Sequence, residues 1–225
     1  MEKLYVKFDK RLYLAASGFV TKDKDREALQ FVYFEVYKEN DKIRTKFTGC
    51  DGYTLFSVYD NTEQPESLEN DILDFQGMNN KTIQFTDGKQ HSTKGLLFGA
   101  LLKPAKTKDF NRTQFEYCFI FESDLYSFSV NGTTIKMPVN QNRYPSYNDV
   151  IPEMPDIIPQ IGAFGLDPKV LNNFISVPKA FDDNISTVTL IPTKSDLKGA
   201  FLVRLPALEK YELEYSALIM PVRID

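Results

Sequence analysis

Along most of the chain, apolar residues alternate with polar ones or gather in short β-branched and aromatic runs; only rarely do they recur every three to four positions. Residues 4–8 alternate and predict a short strand, after which Asp9 stands where a cap would open a helix over residues 10–19. The runs 30–37 and 43–47, then 53–59 after the Asp51-Gly52 turn, predict consecutive antiparallel strands. Leu68, Ile72 and Phe75 recur at helical spacing within the acidic stretch 61–80, with Ser67 placed to cap a second short helix. Strand-like runs return at 82–86, 96–102, 115–121, 125–130 and 133–138, separated by Asp87-Gly88 and Asn131-Gly132; the second of these is the firmest hairpin signal.

Three prolines within residues 151–159 remove backbone donors and fix an extended connector. That connector divides residues 1–150, with a candidate insertion at 61–120, from a shorter unit over 151–225. In the second unit Asp167 caps and Pro168 opens a helix over 169–175, and strands follow at 187–192, 200–205 and 215–224. The order of strand, short helix and several strands occurs twice with weak self-similarity. The expected class is α+β: antiparallel sheets with short helices on one face, about two domains in the chain.

Composition narrows the class of partner. With 42% hydrophobic residues and 13% aromatics, 225 residues can fill real cores. No apolar run reaches the roughly 20 residues of a membrane span, and residues 1–10 carry alternating charge where a secretory signal would be apolar, so a soluble cytoplasmic protein is expected. Cys50 and Cys118 each fall in a strand-like run and read as buried thiols. A net charge of −4 from 27 basic and 31 acidic residues argues at first against a phosphate-rich partner. A protein that cradles nucleic acid needs a basic lining only, so distribution outweighs the sum.

Candidate catalytic chemistry is sparse. His91 is the single histidine and sits in a polar stretch, 87–94, which reads as surface. There is no glycine-rich phosphate loop, no Gly-x-Ser-x-Gly elbow and no histidine pair for zinc, and the carboxylate pairs Asp182-Asp183 and Glu69 with Asp71 read as solvated surface. No enzyme, cofactor or metal is expected. Lys10 and Arg11 open the first helix, and Lys22, Lys24 and Arg26 follow in a loop interleaved with Asp23 and Asp25, which alone reads as a solvated loop.

Three segments change that picture. Phe47-Thr-Gly-Cys-Asp-Gly-Tyr-Thr-Leu55, Arg143-Tyr-Pro-Ser-Tyr-Asn-Asp-Val-Ile-Pro152 and Ala217-Leu-Ile-Met-Pro-Val-Arg-Ile224 resemble, in order, three segments of the bacterial DNA polymerase processivity factor, the β sliding clamp. They match its Asp-Gly turn strand, the aromatic-Pro segment leaving its middle domain, and its closing Met-Pro strand. Arg26-Glu-Ala-Leu29 precedes them as an arginine precedes a leucine-bearing strand in clamps, and Phe164-Gly-Leu-Asp-Pro-Lys-Val-Leu-Asn-Asn-Phe174 looks like a clamp helix opening. Each piece alone fits an ordinary strand end, turn or loop; the ordered set carries the resemblance.

The resemblance implies a non-catalytic clamp fold whose ring surrounds double-stranded DNA without reading its sequence, as a trimer for a two-domain chain and otherwise a dimer. It implies a DNA-facing set of Lys10, Arg11, Lys22, Lys24, Arg26 and, more weakly, Lys169. It also implies a hydrophobic pocket for peptide motifs of DNA polymerase and clamp loader, built from Cys50, Gly52, Tyr53, Thr54, Leu55, Val150, Leu218, Ile219 and Met220. Tyr53-Thr54 replaces the family's usual His-Arg pair and Cys50 a threonine. Two other readings stay open: a clamp-derived adaptor or inhibitor that does not encircle DNA, and an unrelated β-rich structural protein.

Overall fold

The computed structural model describes residues 3–79, 95–104, 116–122, 125–130, 133–140, 142–161, 164–181, 183–184, 187–194 and 199–221. Strand β1 (Leu4–Asp9) runs straight into helix α1 (Lys10–Ser17), where the Asp9 carboxylate accepts the Arg11 backbone N–H at 2.8 Å. A 3-10 segment, Lys24–Gln30, leads to β2 (Val32–Glu39), β3 (Lys42–Cys50) and β4 (Thr54–Asp60). Helix α2 (Leu68–Asn79) is followed by β5 (Leu96–Leu102), β6 (Glu116–Glu122), β7 (Leu125–Val130) and β8 (Thr133–Pro138).

Beyond the proline-rich connector, Asp167 caps α3 (Pro168–Leu171), which passes through a 3-10 turn, Asn172–Ile175, into α4 (Ser176–Ala180). Strands β9 (Thr189–Pro192) and β10 (Phe201–Arg204), the short helix α5 (Pro206–Glu209) and β11 (Tyr215–Ile219) complete the described chain.

The strands form two antiparallel sheets, β1-β6-β7-β8 and β5-β2-β3-β4-β11-β10-β9. The larger sheet crosses the connector, because β11 pairs with β4 in a register that sets Leu218 opposite Leu55 and Ile219 opposite Thr54. Strand β4 is buried on both faces, which alternation alone would not reveal. On one face lies the main core, where Phe8 stacks on Phe119 with centroids 4.0 Å apart and Phe34, Phe47, Phe56 and Phe121 are fully buried. Each such side chain contributes about 1.5–3 kcal/mol by leaving water.

Helix α1 packs on β3 and β4 within this core, and α4 lies beside it. The two helices approach so closely at Gly18 that a Cβ there would stand 2.1 Å from Ser176 Oγ, while the Ser176 hydroxyl donates to the Ala15 carbonyl at 3.0 Å. The opposite face of the larger sheet carries the segment 142–151.

Several boundaries differ from the sequence expectation. Helix α1 ends at Ser17 rather than at 19, and residue 30 belongs to the 3-10 segment rather than to β2. The helix expected over 169–175 extends in three pieces to Ala180. Helix α5 is too short to show a helical hydrophobic spacing, although Pro206 sits at its first turn, where proline is tolerated. Strand β11 stops at Ile219, short of 224, because Pro221 has no N–H to continue the ladder. The expected strand 82–86, the Asp87-Gly88 and Asn131-Gly132 turns, His91 and Asp182 lie outside the described residues.

Candidate functional site

The turn between β3 and β4 is built around Asp51. Its Oδ1 accepts the backbone N–H groups of Tyr53 and Thr54 at 2.8 and 2.7 Å and the Thr54 hydroxyl at 3.0 Å. Its Oδ2 accepts the Asn173 side-chain amide at 2.7 Å, tying the turn to the helical stretch after the connector. Gly52 holds φ at +91°, a conformation that suits glycine. From the other side Arg26 Nη1 donates to the Asp51 carbonyl at 3.0 Å, and its guanidinium lies 5.3 Å from the centroid of the Tyr53 ring. The turn is thus pinned on both flanks, by a cation and by an amide.

Next to the turn, Met220 N–H donates to the Tyr53 carbonyl at 2.8 Å, which extends the β11–β4 pairing by one step. The two-residue period of a strand then puts Tyr53 with Leu55, and Leu218 with Met220, on one face. On that face Leu55 and Leu218 are buried in a second hydrophobic cluster with Tyr33, Leu101, Tyr144, Tyr147 and Ala200, against which Cys50 and Ile151 pack. Tyr144 stacks on Tyr33 at 5.0 Å and 17°, and Tyr147 meets Tyr33 edge-on at 6.3 Å. A 3-10 turn, Asn148–Val150, follows, in which Val150 N–H donates to the Tyr147 carbonyl at 3.1 Å. Around this floor, large apolar surface stays in water: Tyr53 is 52%, Val150 56% and Met220 39% exposed. The buried leucine pair, with exposed apolar side chains on the adjoining turn, strap and strand end, marks this face as a candidate site for a short hydrophobic segment.

Two of the expected pocket residues face away. Ile219 is fully buried in the main core with Phe56 and Ala217, and Thr54 is buried where the Asn173 amide donates to its hydroxyl at 2.9 Å. Both follow from the same period of two that turns Leu55 and Leu218 outward. Cys50 is half-buried and its thiol is pushed up from the ordinary value, chiefly by burial.

The expected basic set divides as well. Lys22, Lys24 and Arg26 are exposed on and just before the 3-10 segment, and Lys169 is exposed one helical turn before Asn173. Lys10 is corrected: only 1% of it is exposed, and burial pulls its ammonium below the usual lysine range, so a phosphate cannot reach it in this conformation. Arg11 is half-buried, paired with Asp9 at 2.6 Å and set over the rings of Phe181 and Tyr211 at 4.9 and 5.3 Å.

Among the described residues no group of three or more His, Cys, Asp or Glu is arranged for a metal. Glu69 binds Lys38 at 2.8 Å and Asp71 accepts the Ser67 hydroxyl at 3.0 Å. No described helix is long and apolar enough to cross a membrane.

No protein-family profile and no curated protein matches the sequence. Solved structures do match. The DNA polymerase sliding clamp of Bacillus subtilis superposes with a TM-score of 0.62 at 11% identity, over 98% of this chain and 64% of its own. The Helicobacter pylori beta clamp bound to DNA ligase peptide superposes at 0.58 and 10%, over 99% and 66%, and the C. crescentus beta sliding clamp at 0.58 and 12%, over 100% and 66%. The chain has the fold of the bacterial β sliding clamp.

This chain therefore spans about two thirds of the length of those clamps, 64–66%. Identity of 10–12% leaves few side chains in common, so the clamp fold fixes the backbone frame and this chain's own residues furnish the candidate site. Tyr144, Tyr147, Leu101 and Ala200 pack with Leu55 and Leu218 and are not among the residues that the sequence suggests. The first two lay inside the aromatic-Pro segment already singled out; the other two needed the strand register, which a single sequence does not carry.

Proposed function

We propose that this chain is a non-catalytic, clamp-like processivity factor of the cytoplasm. It holds a short hydrophobic segment of a DNA polymerase or clamp loader in the Leu55–Leu218 groove while identical subunits, joined head to tail, encircle double-stranded DNA. The observation that carries this reading is the site itself: a buried Leu55–Leu218 pair with Tyr53, Val150 and Met220 exposed around it, on a clamp fold. A DNA ligase peptide bound to the Helicobacter pylori clamp supports the assignment of a peptide as ligand. With units over 1–150 and 151–225, three chains supply the six domains of a ring, and a heterologous contact closes it. Exposed Lys22, Lys24, Arg26 and Lys169 supply the basic lining. A solution mass of three chains, or two, together with retention on nicked circular DNA and loss from linearised DNA, is the expected result. A monomer at micromolar concentration that is not retained overturns the ring.

One observation favours a second reading, a clamp-fold adaptor that binds replication proteins without surrounding DNA. Lys10 is buried, Arg11 is committed to Asp9, and Arg26 is committed to the Asp51 turn, which thins the basic set. For an adaptor, Lys22→Glu with Lys24→Glu leaves partner binding and function intact; for a ring it abolishes retention on circular DNA.

A further inference from the structure

The groove floor lies against charges that a hydrophobic site does not need. Glu35 on β2 and Lys46 on β3 are cross-strand partners, and both are buried on the groove face of the sheet, at 3% and 4% exposure. Isolated, each would be costly in such a place; buried ionisable groups persist where partners compensate them. The partners here come from the segment 142–151. The Tyr147 hydroxyl donates to Glu35 Oε2, and the Lys46 ammonium sits 4.8 Å from the centroid of the Tyr147 ring and 4.8 Å from that of Tyr59 on β4. Tyr147 is thereby held at its tip by a carboxylate and on its face by a cation.

Tyr147 stands three residues before Val150, and the Val150 N–H bonds back to the Tyr147 carbonyl. The next amide, of Ile151, bonds back to Asn148 at 3.3 Å. The anchoring of one side chain is therefore carried into the 3-10 turn by these two backbone bonds. Burial is the main cause that raises the Glu35 carboxyl and lowers the Lys46 ammonium from their ordinary values, as expected of a charged pair enclosed by the strap.

We propose that Tyr147 is a positioning residue for the peptide groove: its hydroxyl bond to Glu35, over Lys46, latches the strap 143–151 to the sheet and sets where Val150 meets a bound peptide. The inference rests on the peptide-groove reading above and assigns to it the element that fixes one wall. The Tyr33–Tyr144 stack keeps the strap's first half in place, so loss of the bond frees the Val150 end alone.

Two readouts on the full chain test it: fluorescence anisotropy with a labelled hexapeptide carrying an aliphatic and an aromatic anchor, and hydrogen exchange of the strap amides. Tyr147→Phe keeps the ring and removes the hydroxyl; it is expected to weaken the peptide about tenfold and to speed exchange at Val150 and Ile151, with β2 and β3 unchanged. Glu35→Gln still offers an oxygen to the hydroxyl, so it keeps affinity within about threefold. Unchanged exchange in Tyr147→Phe, or faster exchange with unchanged affinity, overturns the latch while the groove stands. A wild-type protein that binds no peptide overturns the groove and the inference together, and the exchange data still report whether the strap is held.

Discussion

Arg26 donates from Nη1 to the Asp51 carbonyl at 3.0 Å and fills the space in which a side chain on Gly52 would stand, 2.1 Å from that same nitrogen. A residue expected to face DNA is therefore also part of the frame of the groove. Gly52→Ala meets both this contact and a φ of +91°, so it should cost roughly 1–3 kcal/mol and disturb Tyr53. Thermal unfolding checks the first effect and peptide anisotropy the second.

On the far flank, Asn173 donates to Asp51 Oδ2 and to Thr54 Oγ1. Asn173→Ala removes two bonds, one of them to a carboxylate, and should destabilise the protein by about 1–3 kcal/mol. Asn173→Asp, placing a second carboxylate against Asp51, should cost more at neutral pH than at acid pH. Denaturant titrations at both pH values decide.

The rim and floor of the groove should separate. Met220→Ser and Val150→Ser alter exposed side chains and are expected to lower peptide affinity with stability changed by less than about 0.5 kcal/mol. Leu218→Ala opens a cavity beneath the groove and should lose about 2–5 kcal/mol as well as affinity. Equal losses of stability in all three would contradict the assignment of rim and floor.

Burial holds the Glu35 carboxyl above its ordinary value, so the folded protein takes up this proton at a higher pH than the unfolded chain does. Protonation thus adds stability as the pH falls from the folded-state pKa toward the unfolded value near 4.5, and that contribution is lost as the pH rises. Glu35→Gln lacks the proton. The stability difference between wild type and Glu35→Gln should shift in favour of wild type over this window, read by urea unfolding at a series of pH values.

The basic residues should divide by exposure. Lys22→Gln and Lys24→Gln are expected to flatten the salt dependence of DNA binding, each by about one unit of slope, whereas Lys10→Gln leaves it unchanged because its charge is buried.

Much of this was legible in the sequence for local reasons. Asp9 and Asp167 announced their helices because a side-chain oxygen before a helical run satisfies its first amides, and both do so here. The Asp51-Gly52 turn was legible as local turn chemistry, and the resemblance of three short segments named both Leu55 and Leu218, which the register sets opposite each other. The face on which each residue lies was not legible. Thr54 and Ile219 were grouped with their neighbours, although one step along a strand reverses the side chain. Lys10 read as a surface cation because a single sequence shows charge and not burial. Tyr147 hid its role for the same reason, since its partners Glu35 and Lys46 lie about a hundred residues earlier on strands whose pairing only the fold reveals.

The most direct test of the account is a titration of the labelled hexapeptide into wild-type protein and into the double variant Val150→Ser, Met220→Ser at matched folded concentration. The account predicts saturable binding by the wild type at one site per chain and its loss in the variant, with unfolding curves that superimpose. Absence of saturable binding by the wild type, or equal binding by both proteins, would contradict it.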